Sequence, residues 1–136
     1  MSMSPYEIVN GMITNDAFSQ WMGIHINSID FGTCSISCSV TAEMLNGFGV
    51  LHGGISFALA DSALAFAANS RGTKCMSIET SISHIRPVQL GDKLTAVAIE
   101  KHRGKTLGIY EVEIKNEHDK VVALFKGTVH SNGEKW

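Results

Sequence analysis

Asp61 is the only charged residue between Gly53 and Ser70, and its neighbours include Leu59, Ala60, Ala63 and Leu64. A carboxylate in apolar surroundings is costly unless something pairs with it, so stability alone gives no reason for it. The same run opens with His52-Gly53-Gly54. A helix starting there presents unpaired N–H groups and the positive end of its dipole. Glycine lets a ligand approach such a backbone closely, and such an end can hold an oxyanion. One acid and one oxyanion site are the minimum for adding water to an acyl carbonyl. The competing reading is an Asp that caps or ties down a neighbouring loop; the glycines at the helix mouth favour chemistry.

The spacing constrains how the two parts meet. Asp61 lies eight residues beyond Gly53, about 12 Å along a helix axis. A carbonyl held at Gly53 therefore cannot touch Asp61 of the same helix. Two such helices running antiparallel bring Gly53 of one near Asp61 of the other. A two-fold dimer does this and makes two equal sites.

The elements that position these residues are legible in the periodicity. Apolar residues cover nearly every face of the run from about Gly53 to Arg71, which predicts a long buried helix with Gly72 at a left-handed cap. Ser4-Pro5-Tyr6-Glu7 reads as a capping box, starting a first helix that runs to about Met12. Asn15-Asp16 starts a short second helix through Trp21, with Asn15 as its cap. From Ile24 the period becomes two. Ile24, Ile26 and Ile29 form one strand, and Cys34, Ile36, Cys38 and Val40 the core face of the next, with Ser35, Ser37 and Ser39 towards water. After the long helix, Met76, Ile78, Thr80 and Ile82 alternate up to Pro87. Turns at Gln89-Leu90-Gly91-Asp92, Gly104-Lys105 and Glu117 to Lys120 separate strands over Leu94–Lys101, Leu107–Asn116 and Val121–His130. This order predicts an α+β domain, an antiparallel β-sheet wrapped around one long central helix.

At 136 residues the chain is long enough for one domain, expected to span residues 1–136. It is 44% hydrophobic and 18% charged, with a net charge of -2. That balance argues against disorder and against a nucleic-acid or membrane-surface partner. A polyanionic ligand would need local cations. Cys34, Cys38 and Cys75 make an odd count after a start with no secretory core, which points to a reducing cytoplasm. The central helix is too short for a membrane span, and Asp61 interrupts it. The six histidines have no metal-ligand spacing, so no metal is expected. Gly47, Gly49 and Gly53 have the wrong spacing for a dinucleotide fingerprint and lack its βαβ unit.

The whole order resembles the hotdog fold. Leu45-Asn46-Gly47, His52-Gly53-Gly54, Leu59-Ala60-Asp61-Ser62-Ala63 and Asn69-Ser70 resemble the phenylacetic-acid-pathway (PaaI-type) acyl-CoA thioesterases. Asn15-Asp16, Arg86-Pro87, Gly91-Asp92 and Ala123-Leu124-Phe125 extend the likeness over nearly the whole chain. The resemblance implies hydrolysis of acyl-CoA thioesters, with an aryl-acetyl group favoured, at sites in a dimer interface. Asp61 would be general base or nucleophile, and the Gly53 N–H would polarise the carbonyl. Asn15 would position the water or the carbonyl. His52, Gly54 and Ser62 would support them, His52 by orienting the loop. Arg86, Arg103 and Lys105, placed at strand ends or turns, are candidate contacts to the CoA phosphates; the alternative for each is an ordinary solvated cation. CoA is part of the substrate, and no separate cofactor is expected. The homo-oligomer would be a dimer or a dimer of dimers. Two other readings stay open: a hotdog enoyl-CoA hydratase or dehydratase, and a non-catalytic acyl-CoA-binding protein.

Overall fold

The computed structural model describes residues 2–136. Helices α1 (Pro5–Thr14) and α2 (Ala17–Trp21) lead into strands β1 (His25–Asp30) and β2 (Thr33–Ser39). A short 3-10 turn, Ala42–Met44, precedes the long helix α3 (Gly53–Asn69). Strands β3 (Thr73–His84), β4 (Lys93–Arg103), β5 (Leu107–Lys115) and β6 (Val121–Lys135) complete the chain. The six strands form one antiparallel sheet in the order β1-β2-β4-β5-β6-β3. Helix α3 contacts every strand of that sheet. This is the antiparallel sheet around one long helix expected from the residue pattern, and the hotdog fold that the resemblance implies.

The capping box of α1 forms as expected. Glu7 N–H donates to Ser4 Oγ at 3.2 Å, and Ser4 N–H to Glu7 Oε1 at 3.0 Å. The next boundary corrects the sequence reading. Asp16, not Asn15, caps α2, its carboxylate accepting from Ser19 N–H at 3.0 Å and Ser19 Oγ–H at 2.6 Å. Asn15 closes α1 instead, and its amide donates back to the Gly11 carbonyl at 3.1 Å. A carboxylate is the stronger acceptor for exposed N–H groups at a helix start.

Cys34, Ile36, Cys38 and Val40 are buried, as their alternation predicts. Burial pushes the Cys34 thiol up to about 12 and Cys38 up to about 11, so both act as small apolar groups. The Ser face of β2 is drier than expected. The pairing register breaks between Ile26 and Ser28, and the intervening Asn27 amide lies across Ser35 and Ser37 at 3.3 Å from each. Ser37 is 2% exposed in consequence.

A second bulge changes the reading of β3. Ser77 pairs with Val129 and Glu79 with Thr128, so Ile78 is an inserted residue. Thr80 and Ile82, opposite Gly127 and Phe125, lie on the helix side of the sheet. Met76, on the far side of the bulge, is 79% exposed. A strict period of two would put all four on one face, and one inserted residue reverses the alternation. Gly127 has a packing reason: a β-carbon there would come within 2.6 Å of Leu64 Cδ2 on α3.

The carboxyl end of α3 is anchored by Asn69, which is 2% exposed. Its amide donates to Ala65 O at 2.8 Å and Cys75 O at 3.1 Å, and its oxygen accepts from Cys75 N–H and Trp136 Nε1–H, both at 3.0 Å. Helix, edge strand and chain end thus meet on one side chain. Asn69→Ala leaves the Cys75 backbone groups buried without partners and should destabilise the fold by roughly 2–4 kcal/mol. A urea titration followed by tryptophan fluorescence checks this.

Candidate active site

The amino end of α3 follows a loop whose turn is set by Asn46. Its side-chain oxygen accepts from Phe48 N–H at 2.9 Å, and Gly49 takes a positive φ of 77°. The isolated bridge between Leu45 and Leu51 closes the loop and delivers His52 to the helix start. His52 is the N-cap: its Nδ1 accepts from Gly54 N–H at 2.9 Å. That assigns the neutral ring's hydrogen to Nε2 and uses the Gly54 N–H. Gly53 N–H has no acceptor among the described residues. It is the donor that the helix leaves available to a ligand.

Beside it lies a cleft of about 360 Å³. Asn46, Gly53, Ser56, His84 and Arg86 line it together with apolar residues that include Leu51, Val88 and Val122. Asn46, Ser56 and His84 were absent from the candidates drawn from sequence. Asn46 stands in the quoted Leu45-Asn46-Gly47 segment, so its signal was present. His84 is a lone histidine ending a strand, and only the fold brings it to Gly53.

Asp61 lies two helical turns away. Its carboxyl is half-buried, and burial raises its pKa; among the described residues no hydrogen bond or neighbouring charge offsets that. The face of α3 that carries it is the one the chain leaves partly uncovered. Phe57, Ala58, Asp61, Ser62 and Ala65 are all half-buried, whereas Leu59, Ala60, Ala63 and Leu64 are fully enclosed. This narrow stripe corrects the reading of α3 as buried all round. Ser62 Oγ meets Ser19 Oγ at 3.0 Å, and Asp16 holds Ser19, so α2 is tied to α3 next to Asp61.

The other expected residues separate in space. Asn15 does not line the cleft at Gly53. Arg86 does, with Nη1 donating to Val121 O at 2.8 Å and its remaining donors free to turn outward. Arg103, expected among the phosphate contacts, turns inward at the opposite end of α3. Its guanidinium donates to Ala68 O at 2.9 Å, Tyr110 OH at 3.2 Å and Thr73 Oγ1 at 2.7 Å. The unpaired carbonyls of a helix end attract such a cation. Lys105 is exposed on the β4–β5 turn at that same end. No cluster of His, Cys, Asp and Glu suited to a metal occurs among the described residues, and no helix there is long and apolar enough to cross a membrane.

Comparisons with known proteins identify the family. The Thioesterase superfamily model matches residues 48–123, which include the helix start and Asp61. The acyl-coenzyme A thioesterase PaaI of Escherichia coli is 43% identical over 133 residues, 98% of this chain and 95% of that protein. The structure of the E. coli PaaI protein from the phenylacetic acid degradation operon superposes with a TM-score of 0.94 at 42% identity, covering 96% of this chain and 95% of the other. A Streptococcus mutans protein crystallised bound to acetyl CoA matches with a TM-score of 0.81 at 26% identity, over 83% of this chain and 91% of that one. On the matched residues, the identity and the common fold, the chain is a hotdog-fold enzyme that belongs to the thioesterase superfamily.

Proposed function

We propose that the protein hydrolyses acyl-CoA thioesters to free CoA and a carboxylic acid, at two equal sites shared between the protomers of a two-fold dimer. The observation that carries this reading is the unpartnered, half-buried Asp61 on the uncovered stripe of α3, eight residues from an unused Gly53 N–H. Strand β3 is the sheet edge on that side, with Met76 and Ile78 79% and 62% exposed. An open edge of this kind invites pairing. Two β3 strands paired about a two-fold axis would continue the sheet and lay two α3 helices antiparallel. Gly54, Ala58 and Ala65 would allow their close approach. Asp61 would then face Gly53 of the partner subunit.

In that site the thioester oxygen accepts from Gly53 N–H, and water lies against Asp61. The carboxylate takes a proton from the water, and the hydroxyl oxygen bonds to the carbonyl carbon. Negative charge collects on the carbonyl oxygen, opposed by the helix end. When the intermediate collapses, the C–S bond breaks and the proton passes from Asp61 to the departing thiolate. The step asks for no group beyond this chain, water and the substrate. Asn15 and Ser62 support the water side through the α1–α2 junction, and His52 holds Gly53 in place by capping. Arg86 and Lys105 are the cations left to meet the CoA phosphates. An aryl-acetyl group, phenylacetyl or a hydroxylated form, is the favoured acyl part, because the likeness to PaaI is the strongest reported above. The outer sheet face, where Val97, Ile99 and Leu124 lie among Lys101, Lys126, Glu111 and Glu113, suits a contact between two dimers. The cytoplasm is the expected compartment.

Asp61→Asn should lower kcat on acyl-CoA by about 10²–10⁴, read as thiol release from a panel of aryl-acetyl, straight-chain and enoyl thioesters. Enoyl conversion without thiol release would support a hydratase instead. The same substitution should raise the melting temperature at neutral pH. A carboxyl whose folded pKa is raised contributes least to stability once ionised, and the amide removes that burden. A lower melting temperature would show that Asp61 holds the fold together instead.

The acid limb of the kcat/KM profile should lie above the ordinary aspartate value of about 3.9. Activity is present above that limb and is lost as pH falls, because the base must be ionised. A limb at or below the ordinary value would exclude Asp61 as this base.

Mixing equal amounts of Asp61→Asn and Gly53→Val subunits tests the sharing. Random pairing of two inactive parents should recover about a quarter of wild-type activity, since half the dimers then carry one intact site. No recovery after confirmed subunit exchange would place Asp61 and Gly53 in separate, unshared sites.

A further inference from the structure

His84, the last residue of β3, lies against the helix start. A β-carbon built on Gly53 would fall 3.0 Å from His84 Nε2 and 3.3 Å from its Cε1. A side chain at position 53 would therefore have to push the ring aside. The other ring nitrogen, Nδ1, is 3.3 Å from Ser56 Oγ, and Ser56 is 3% exposed. The imidazole is thus fixed on one side by a buried hydroxyl and presents its other nitrogen to the backbone at Gly53. His84 and Gly53 both line the cleft described above.

The Ser56 hydroxyl has one proton and two acceptors in reach: Gly53 O at 3.1 Å and His84 Nδ1 at 3.3 Å. Gly53 O already accepts the ordinary helical bond from Phe57 N–H, so it keeps a partner when Ser56 turns away. With the hydroxyl proton given to Nδ1, the neutral ring carries its hydrogen on Nε2. That N–H then lies beside the one backbone donor which α3 leaves without an acceptor.

We propose that His84 is a catalytic residue of this thioesterase: its Nε2–H, set by Ser56, is a second hydrogen-bond donor to the thioester oxygen beside the Gly53 N–H. This rests on the reading that the carbonyl binds at Gly53. Charge on that oxygen grows as the water oxygen adds to the carbonyl carbon, so the bond from Nε2 strengthens in the transition state. The proton stays on His84 throughout, and the electron pair returns to re-form the C=O bond as the C–S bond breaks. The donor therefore acts mainly on kcat.

The experiment compares wild type with His84→Phe, His84→Gln and Asp61→Asn, measuring kcat and KM for one acyl-CoA that the wild type hydrolyses and recording a thermal melt of each. Phe keeps a flat ring against Gly53 without the N–H, and Gln places an amide N–H near the position of Nε2. His84→Phe should lose about 10²-fold in kcat, the scale of one oxyanion donor, with KM changed less than about threefold. His84→Gln should regain at least tenfold of that loss. His84→Phe within threefold of wild type, beside an inactive Asp61→Asn, would overturn the role of His84 and leave the Asp61 reading standing. Equal loss in Phe and Gln would also overturn it, as the ring would then serve packing alone. If Asp61→Asn keeps full activity, the underlying reading fails whatever His84 does.

Discussion

Gly53 and Asp61 stand on one rigid helix about 12 Å apart, and no side-chain rotation closes that distance. The rest of the molecule is arranged around this separation. The donor end of α3 opens onto a cleft between the Asn46 loop and the end of β3, while the acid projects from a stripe that the chain does not cover. A helix enclosed on all sides would hide the acid. A helix exposed along a broad face would lose the packing that keeps the spacing fixed. The narrow stripe of Phe57, Ala58, Asp61 and Ala65 lies between these extremes.

The two ends of α3 are treated differently. At the carboxyl end, Arg103 meets Ala68 O, Ser70 Oγ–H meets Ala67 O at 2.6 Å, and Asn69 binds the start of β3 and Trp136. Glu100 extends the network to Arg71 and Tyr110, and the Arg71 guanidinium holds its carboxyl below the usual range. At the amino end only His52 caps, and it takes the Gly54 N–H. A polar group left unpaired in a folded chain costs stability. Firm anchorage at one end allows the other to keep a donor in reserve for a ligand.

Strand β3 links these features. It begins at the Asn69 anchor, passes through the bulge at Ile78 and ends with His84 beside Gly53. The bulge reverses which side chains face the helix midway along the strand. Cys75 can therefore be buried near the strand's start, while Thr80 and Ile82 pack towards α3 further on. Without the inserted residue, the end of the strand would present its opposite face, and His84 would point away from the helix start. Sheet register and site geometry are thus one constraint.

Local chemistry made much of this readable in the sequence. The capping box at Ser4 and Glu7 and the buried alternation from Cys34 to Val40 involve near neighbours whose preferences agree and formed as read, and the apolar run after Gly53 formed its helix with one stripe left half-covered. The amide-rich helix start and the isolated acid were legible for the same reason: both are properties of one segment. Tertiary structure decided what depends on partners distant in sequence. The polar ends of β3 and β6 carry no periodic signal, yet Thr73 pairs with Lys135 and extends both strands beyond their expected limits. The inserted Ile78, the inward turn of Arg103 towards Ala68 and the meeting of His84 with Gly53 come from strand pairing and packing. A chain read in order fixes the types and spacing of residues along each element; only the folded sheet determines which of them face one another.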